Sequence, residues 1–381
     1  LALVPTLKAN EASATVIVAF AKDCASATEN LNAALDDGYE KLAQETDAYW
    51  KGRLTTAPMP RVDDKLLLDA CARDLLILLQ CADRRSGAIV RSPVESACSA
   101  LDWMRDSPWT TLAMDMAGYG DLAERHTLFC ADALRKEGKR GKPYGSVPEA
   151  LCTGGADGVP HVILDLDAVA WTVASCYRHA SLLEGPARLS YLTTAARRIT
   201  GAGDFLASWA DARTRLPLYS FNPALARDVP SQESLLTSYM GIDAVIRISE
   251  AVGSPVPDEW ARRKRDLDAA IRFQCVDKNG VWKSEFMLPF WQPEIDKTEL
   301  PQWDNVMERR LNAAKRAGKI SVSTLCDAAL VWNDRPDKLA HLKAKFNDLA
   351  MRDVNALDAA RHFIAASLVY AAPRKLPAPA E

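Results

Sequence analysis

The stretch LDWMRDSPWTTLAMDMAGYGDLAERH, Leu101–His126, runs from a loop into an apolar helix, turns through Gly118-Tyr119-Gly120 and enters a second helix. Leu112, Met114 and Met116 mark the first helix as buried, while Asp121, Glu124 and Arg125 give the second a solvated side. Two helices joined by so short a turn form an antiparallel hairpin. The fold depends on how often this unit recurs.

Working outward, helical periodicity predicts segments at about 62–82, 107–117, 121–137, 167–182, 187–209, 231–252, 256–274, 304–316, 323–332, 336–349 and 354–370, with hardly a strand between them. Their connections alternate between short ones (GYGD, LLEGP, VGSPVP, NDRP) and long ones (83–106, 138–166, 210–230, 275–303). In a ring of helical hairpins the short turns gather at one end and the long loops at the other, where a rigid scaffold can hold binding residues. No sequence signature recurs at a fixed period, so an open solenoid is the weaker alternative. The expected class is all-α, an (α/α)6 toroid of six hairpins.

Upstream of residue 58 the pattern changes. Ala14 to Phe20 alternates as a half-buried strand does, and one strand needs partners from elsewhere. A linker helix follows from Ser26 or Thr28, with Leu31, Leu35, Tyr39 and Leu42 on one face, and Pro58 and Pro60 mark a boundary. The expected division is therefore a strand remnant at 1–25, a linker helix and linker at 26–58, and the barrel at 59–381.

Composition narrows the partners. The chain has 381 residues, 48% of them hydrophobic, and 47 basic residues against 50 acidic ones. A net charge of -3 supplies no basic field for a phosphate backbone, so no nucleic acid partner is expected. No apolar run approaches the roughly 20 residues of a membrane span. The first residues carry no charged n-region or cleavage site, and nine cysteines without paired spacing fit a reducing, cytoplasmic setting. His126, His161, His179, His341 and His362 form no ligand pair, no Cys-x-x-Cys occurs, and GGADG lacks phosphate-loop spacing. Neither a metal nor a cofactor is expected, and nothing sets an oligomeric state. Carboxylates are the available catalysts.

Trp103, Arg105 and Asp106 stand where a long loop becomes a helix. A Trp face can stack on a pyranose while an arginine and a carboxylate fork hydrogen bonds to adjacent hydroxyls. The same residues also fit a purely local arrangement, with Asp106 capping the helix and Arg105 paired to it. Asp165 and Asp167 open another helix; spaced two apart, at most one faces the barrel and the other caps. Aromatic residues crowd the long loops, among them Trp109, Tyr144, Phe221, Trp282 and Trp291.

Taken with SGAIVRSPV upstream and DGVPHVILDLDAVAWTVASCYRH downstream, the Trp-Met-Arg-Asp motif resembles that of glucoamylase-type glycoside hydrolases and their six-hairpin relatives. The resemblance spans most of residues 10–275. It implies an (α/α)6 barrel preceded by a β-sandwich, of which 1–25 is a remnant, and a terminal sugar held by Arg105 and Asp106. Inverting hydrolysis needs an acid and a base roughly 6.5 to 9.5 Å apart. The family's acid position falls on Leu225 by ungapped counting, so Asp228 or Glu233 must replace it; Asp334 or Asp353 is the nearest substitute for the base. The function implied is an exo-acting glycosidase using a carbohydrate substrate. The alternative is a non-catalytic carbohydrate-binding or scaffold protein on the same barrel.

Overall fold

The computed structural model describes residues 17–92, 100–139, 142–158, 165–218, 220–222, 227–229, 232–275, 300–316, 320–333, 335–346 and 355–370. The chain forms two compact units, 1–57 and 58–381.

In the first unit, α1 (Cys24–Asp37) starts at Asp23, whose carboxylate accepts from the Ser26 amide, and ends at Gly38. Gly38 adopts φ 76, a left-handed value that favours glycine, and α2 (Tyr39–Thr56) begins after it. The single linker helix expected here is thus two helices, because one residue without a Cβ ends the first. Neither helix buries a residue. Of the strand expected at Ala14–Phe20, residues 14–16 lie outside the described residues, and 17–20 form neither helix nor strand.

The second unit holds α3 (Lys65–Cys81), α4 (Ser107–Met116), α5 (Gly120–Asp132), α6 (Leu166–Ala180), α7 (Gly185–Ser208), α8 (Gln232–Ala251), α9 (Asp258–Cys275), α10 (Leu300–Arg316), α11 (Val322–Val331), α12 (Pro336–Phe346) and α13 (Ala356–Tyr370). Burial sorts them into two layers. All fifteen residues of α6 are buried, and α4, α8, α11 and α13 are buried over most of their length. By contrast α9 buries only Trp260, Arg263, Leu267 and Cys275, a single stripe. The well-buried helices pack on one another in the order α11, α13, α4, α6, α8, and α13 also packs on α3, which sets the late helix α13 against the first helix of the unit.

Close approach is built into the sequence at Gly241 on α8. A Cβ there would lie 2.7 Å from Ala170 Cα on α6, so only glycine admits the contact between these two inner helices. Polar pairs tie other elements together: buried His179 on α6 meets Asp115 on α4 at 2.9 Å, and buried His362 on α13 bonds to Asp74 on α3. Helices α4, α6, α8 and α11 each pack against the helix that follows, α5, α7, α9 and α12. The starts of α4, α6 and α8, each preceded by a long loop, lie together at one end, where Arg105 just before α4 bonds to Asp165 and Asp167 of α6 and to Glu233 of α8.

Two short antiparallel ribbons trim that end. β1 (Asp102–Trp103) pairs with β2 (Ala150–Leu151), setting Trp103 opposite Ala150. β3 (Ser220–Asn222) pairs with β4 (Arg227–Val229), setting Phe221 opposite Asp228.

Candidate active site

The loop that delivers Trp103 to Asp106 is pinned from below. Asp102, 1% exposed, accepts hydrogen bonds from the Ile89 amide at 2.9 Å and from Ser107 Oγ at 3.0 Å, and bonds His126 Nε2 at 3.0 Å. His126 Nδ1 meets Thr111, and the Cys130 thiol donates to Ser107. Asp102, His126 and Cys130 thus come within 4.8 Å of one another although sequence spacing brings no such group together. Their donors and acceptors are already engaged with each other and with Ser107, Thr111 and Ile89, so the cluster acts as an anchor for the loop. On the other side, Met104 donates its amide to Glu149 and fixes the loop against β2.

Arg105 is thereby projected across the N-termini of two inner helices, α6 and α8. Its Nε donates to Asp165 Oδ2 at 2.7 Å, Nη2 to Asp165 Oδ1 at 3.2 Å and to Asp167 Oδ2 at 2.5 Å, and Nη1 to Glu233 Oε1 at 3.3 Å. Asp165 is the N-cap of α6 and also accepts from the amides of Asp167 and Ala168. Asp167 takes further bonds from Ser234 at 3.2 Å and Thr237 at 2.5 Å on α8. The sequence rule that two side chains spaced two apart diverge fails here for a local reason. Asp165 has extended backbone angles, φ -106 and ψ 99, so helical spacing does not begin until after it, and both carboxylates reach the same guanidinium. Both are shut away from solvent, at 0% and 1% exposure, and face Arg105.

Glu233, in the first turn of α8, keeps 22% of its side-chain surface exposed. Burial pushes its carboxyl up to about 7, the negative charge of Asp167 adds to the rise, and Arg105 opposes it. Burial works against the Arg105 charge, yet Asp165, Asp167 and Glu233 overturn it and hold the guanidinium's pKa above its ordinary value. Glu149, buried beside β2, is also pushed up by burial and by Asp165.

Asp106 does not cap α4 by its side chain, and Arg105 donates to Asp165, Asp167 and Glu233 instead. The purely local arrangement is therefore not the one adopted. Instead Asp106 lies 3.4 Å from Arg91 Nε, and Arg91 spreads over the Trp103 ring with 5.9 Å to the centroid. Burial raises the Asp106 carboxyl to about 6, with Arg91 and Arg361 opposing the rise. Arg361 on α13 and Glu149 were not evident in the sequence as site residues. Arg361 is one basic residue on an amphipathic helix, and only ring closure brings it near Asp106.

Of the residues expected at the site, the structure gathers Trp103, Arg105, Asp106, Asp165, Asp167 and Glu233 at one end of the ring. Asp228 is paired through its backbone in β4, and its side chain lies outside the described residues, as do Asp334 and Asp353.

No protein-family model and no curated protein sequence matches the chain. Solved structures do. A glycosidase variant in complex with glucose aligns at TM-score 0.56 and 18% identity, over 81% of this chain and 99% of that one. A cellobiose 2-epimerase from Spirochaeta thermophila DSM 6192 aligns at TM-score 0.51 and 11% identity, over 80% and 96%. A rhamnosidase from Klebsiella oxytoca with rhamnose bound aligns at TM-score 0.50 and 14% identity, over 81% of this chain and 64% of that one. The architecture is accordingly the (α/α)6 toroid, with a six-hairpin glycosidase-like fold. Among the described residues, no helix is long and apolar enough to cross a membrane.

Proposed function

We propose that the chain is a glycoside hydrolase that binds a carbohydrate at the N-terminal end of its inner ring and removes a terminal sugar, with Glu233 as the general acid. One observation carries the reading. Glu233 is the carboxyl of the cluster that combines partial exposure with a pKa of about 7, so near neutrality it can both reach a substrate and hold the proton a leaving oxygen needs. Arg105, fixed by Asp165 and Asp167, sets where that carboxyl sits. Trp103 and Asp106 flank it on the α4 side, where a sugar ring can stack and hydrogen-bond. An inverting course further requires a second carboxylate to activate water, a role for which Asp334 and Asp353 stand as candidates. The glycosidase with glucose and the rhamnosidase with rhamnose lend support by fold, since both hold a sugar on the architecture this chain shares.

The test is sugar release from a panel of α- and β-linked oligosaccharides by the wild-type chain and by Glu233→Gln. Loss of release on the order of 10²- to 10⁴-fold, with sugar binding retained, supports the assignment. Equal release by both proteins removes Glu233 from the acid role, and sugar binding without any release by the wild type favours a binding protein.

A further inference from the structure

Arg105 carries the Trp-Met-Arg-Asp motif's cation, yet each of its three side-chain nitrogens already donates to a carboxylate of Asp165, Asp167 or Glu233. Asp106 next to it is differently placed. Its Oδ2 is buried and has no hydrogen-bond partner among the described residues, although Arg91 lies 3.4 Å away. On the neighbouring inner helix α13, Arg361 lies over the Trp109 ring with 4.7 Å from the guanidinium carbon to the centroid. Its buried Nε likewise has no hydrogen-bond partner among the described residues.

The Arg361 charge acts on Asp106, on Glu233 of α8 and on Asp327 of α11, in each case opposing the rise that burial imposes. Arg361 is placed beside Asp106 by packing: α13 lies against α4, and the Trp109 on which Arg361 rests donates its amide to the Asp106 carbonyl at 3.1 Å. A buried donor and a buried acceptor on neighbouring inner helices, neither with a hydrogen bond among the described residues, are costly unless a third group bonds to both. Vicinal hydroxyls meet that need, since each can donate to a carboxylate and accept from a guanidinium.

We infer that Arg361, rather than Arg105, is the cation that grips the ligand: Asp106 Oδ2 accepts from one hydroxyl of a pyranose and Arg361 Nε donates to the adjacent one. Arg105 is then a positioning residue for Glu233. The inference rests on the carbohydrate reading above and adds to it a specificity-determining residue that the motif does not contain.

The test measures binding of glucose, mannose, galactose and rhamnose by calorimetry to the wild type, Arg361→Lys, Arg361→Gln and Arg105→Lys, with thermal unfolding recorded for each. Lysine keeps the charge of Arg361 and loses the planar donor, so affinity for the best sugar falls about tenfold or more while unfolding stays near that of the wild type. The expected effect of Arg105→Lys lies in the pH profile of sugar release, with a smaller change in affinity. Wild-type affinity in both Arg361 variants overturns the inference and leaves the carbohydrate reading standing. Failure of all four sugars to bind the wild type overturns the carbohydrate reading and the inference with it.

Discussion

Two arginines at the same end of the ring live in opposite surroundings. Around Arg105, carboxylates from α6 and α8 close on the guanidinium, and two of the three are sealed from solvent. Around Arg361 and Asp106 the contacts are looser: Arg361 rests on the Trp109 ring, Asp106 keeps only Arg91 at 3.4 Å, and a donor and an acceptor stand without hydrogen-bond partners among the described residues. The first region is complete as folded and the second is completed by something else. A charged residue in a motif is therefore read by its neighbours: saturation marks architecture, and an unmet bond marks recognition.

The comparison can be broken most forcefully at Arg105. Arg105→Met leaves Asp165 and Asp167 buried without their cation, a loss expected to cost about 3–5 kcal/mol in denaturant unfolding. If the variant unfolds as the wild type does, the closed region is not structural and the contrast fails. A pH titration of sugar release separates the same residues by function. The Glu233 carboxyl is held at about 7, so the protonated acid is lost and release falls as pH rises through that value. Arg105 opposes the rise in this pKa, so its conservative variant Arg105→Lys, with a less rigid hold on Glu233, moves the alkaline limb upward. Stability follows the same group with a definite sign. The unfolded chain gives up this proton near its ordinary value while the folded chain retains it, so Glu233's contribution falls between about pH 4.5 and 7 and is level above, and Glu233→Gln removes that slope.

Finer changes sharpen the contrast. Thr237→Val deletes the 2.5 Å hydrogen bond to Asp167 at constant shape and costs about 1.5–3 kcal/mol, as expected for a bond to a buried charge. Arg361→Gln gives the smallest loss of stability, about 1 kcal/mol for the contact with Trp109, measured by the same denaturant unfolding. A loss at Arg361 as large as that at Arg105 erases the distinction between the two regions.

The ring was largely legible in the chain because helical periodicity and loop length are local quantities. Each of the eleven expected barrel segments has its helix, and the ends moved by a few residues: the segment expected at 121–137 stops at Asp132, and that expected at 304–316 starts at Leu300. Gly38 shows how one backbone angle divides a helix that side-chain pattern alone joins. The site was legible in part. Trp103, Arg105, Asp106, Asp165, Asp167 and Glu233 were all identifiable by residue type at loop-to-helix junctions. Who pairs with whom was not, since Arg105 meets Glu233 across 128 positions and the choice between capping and bridging is made by tertiary contacts. Arg361 and Glu149 carry no motif, and only the closing of the ring and the β1–β2 pairing bring them in.

That closure has a consequence for how the protein is made. The contacts that join α13 to α3 and α4 span most of the barrel's length, with His362 and Asp74 separated by 288 positions. During synthesis the Arg105 cluster has all its parts once α8 has left the ribosome, whereas Arg361 arrives only with α13. If Glu233 is the acid and Arg361 the grip, as proposed above, the nascent chain acquires its acid early and its grip late, so that bond-breaking waits for the helix that holds the substrate.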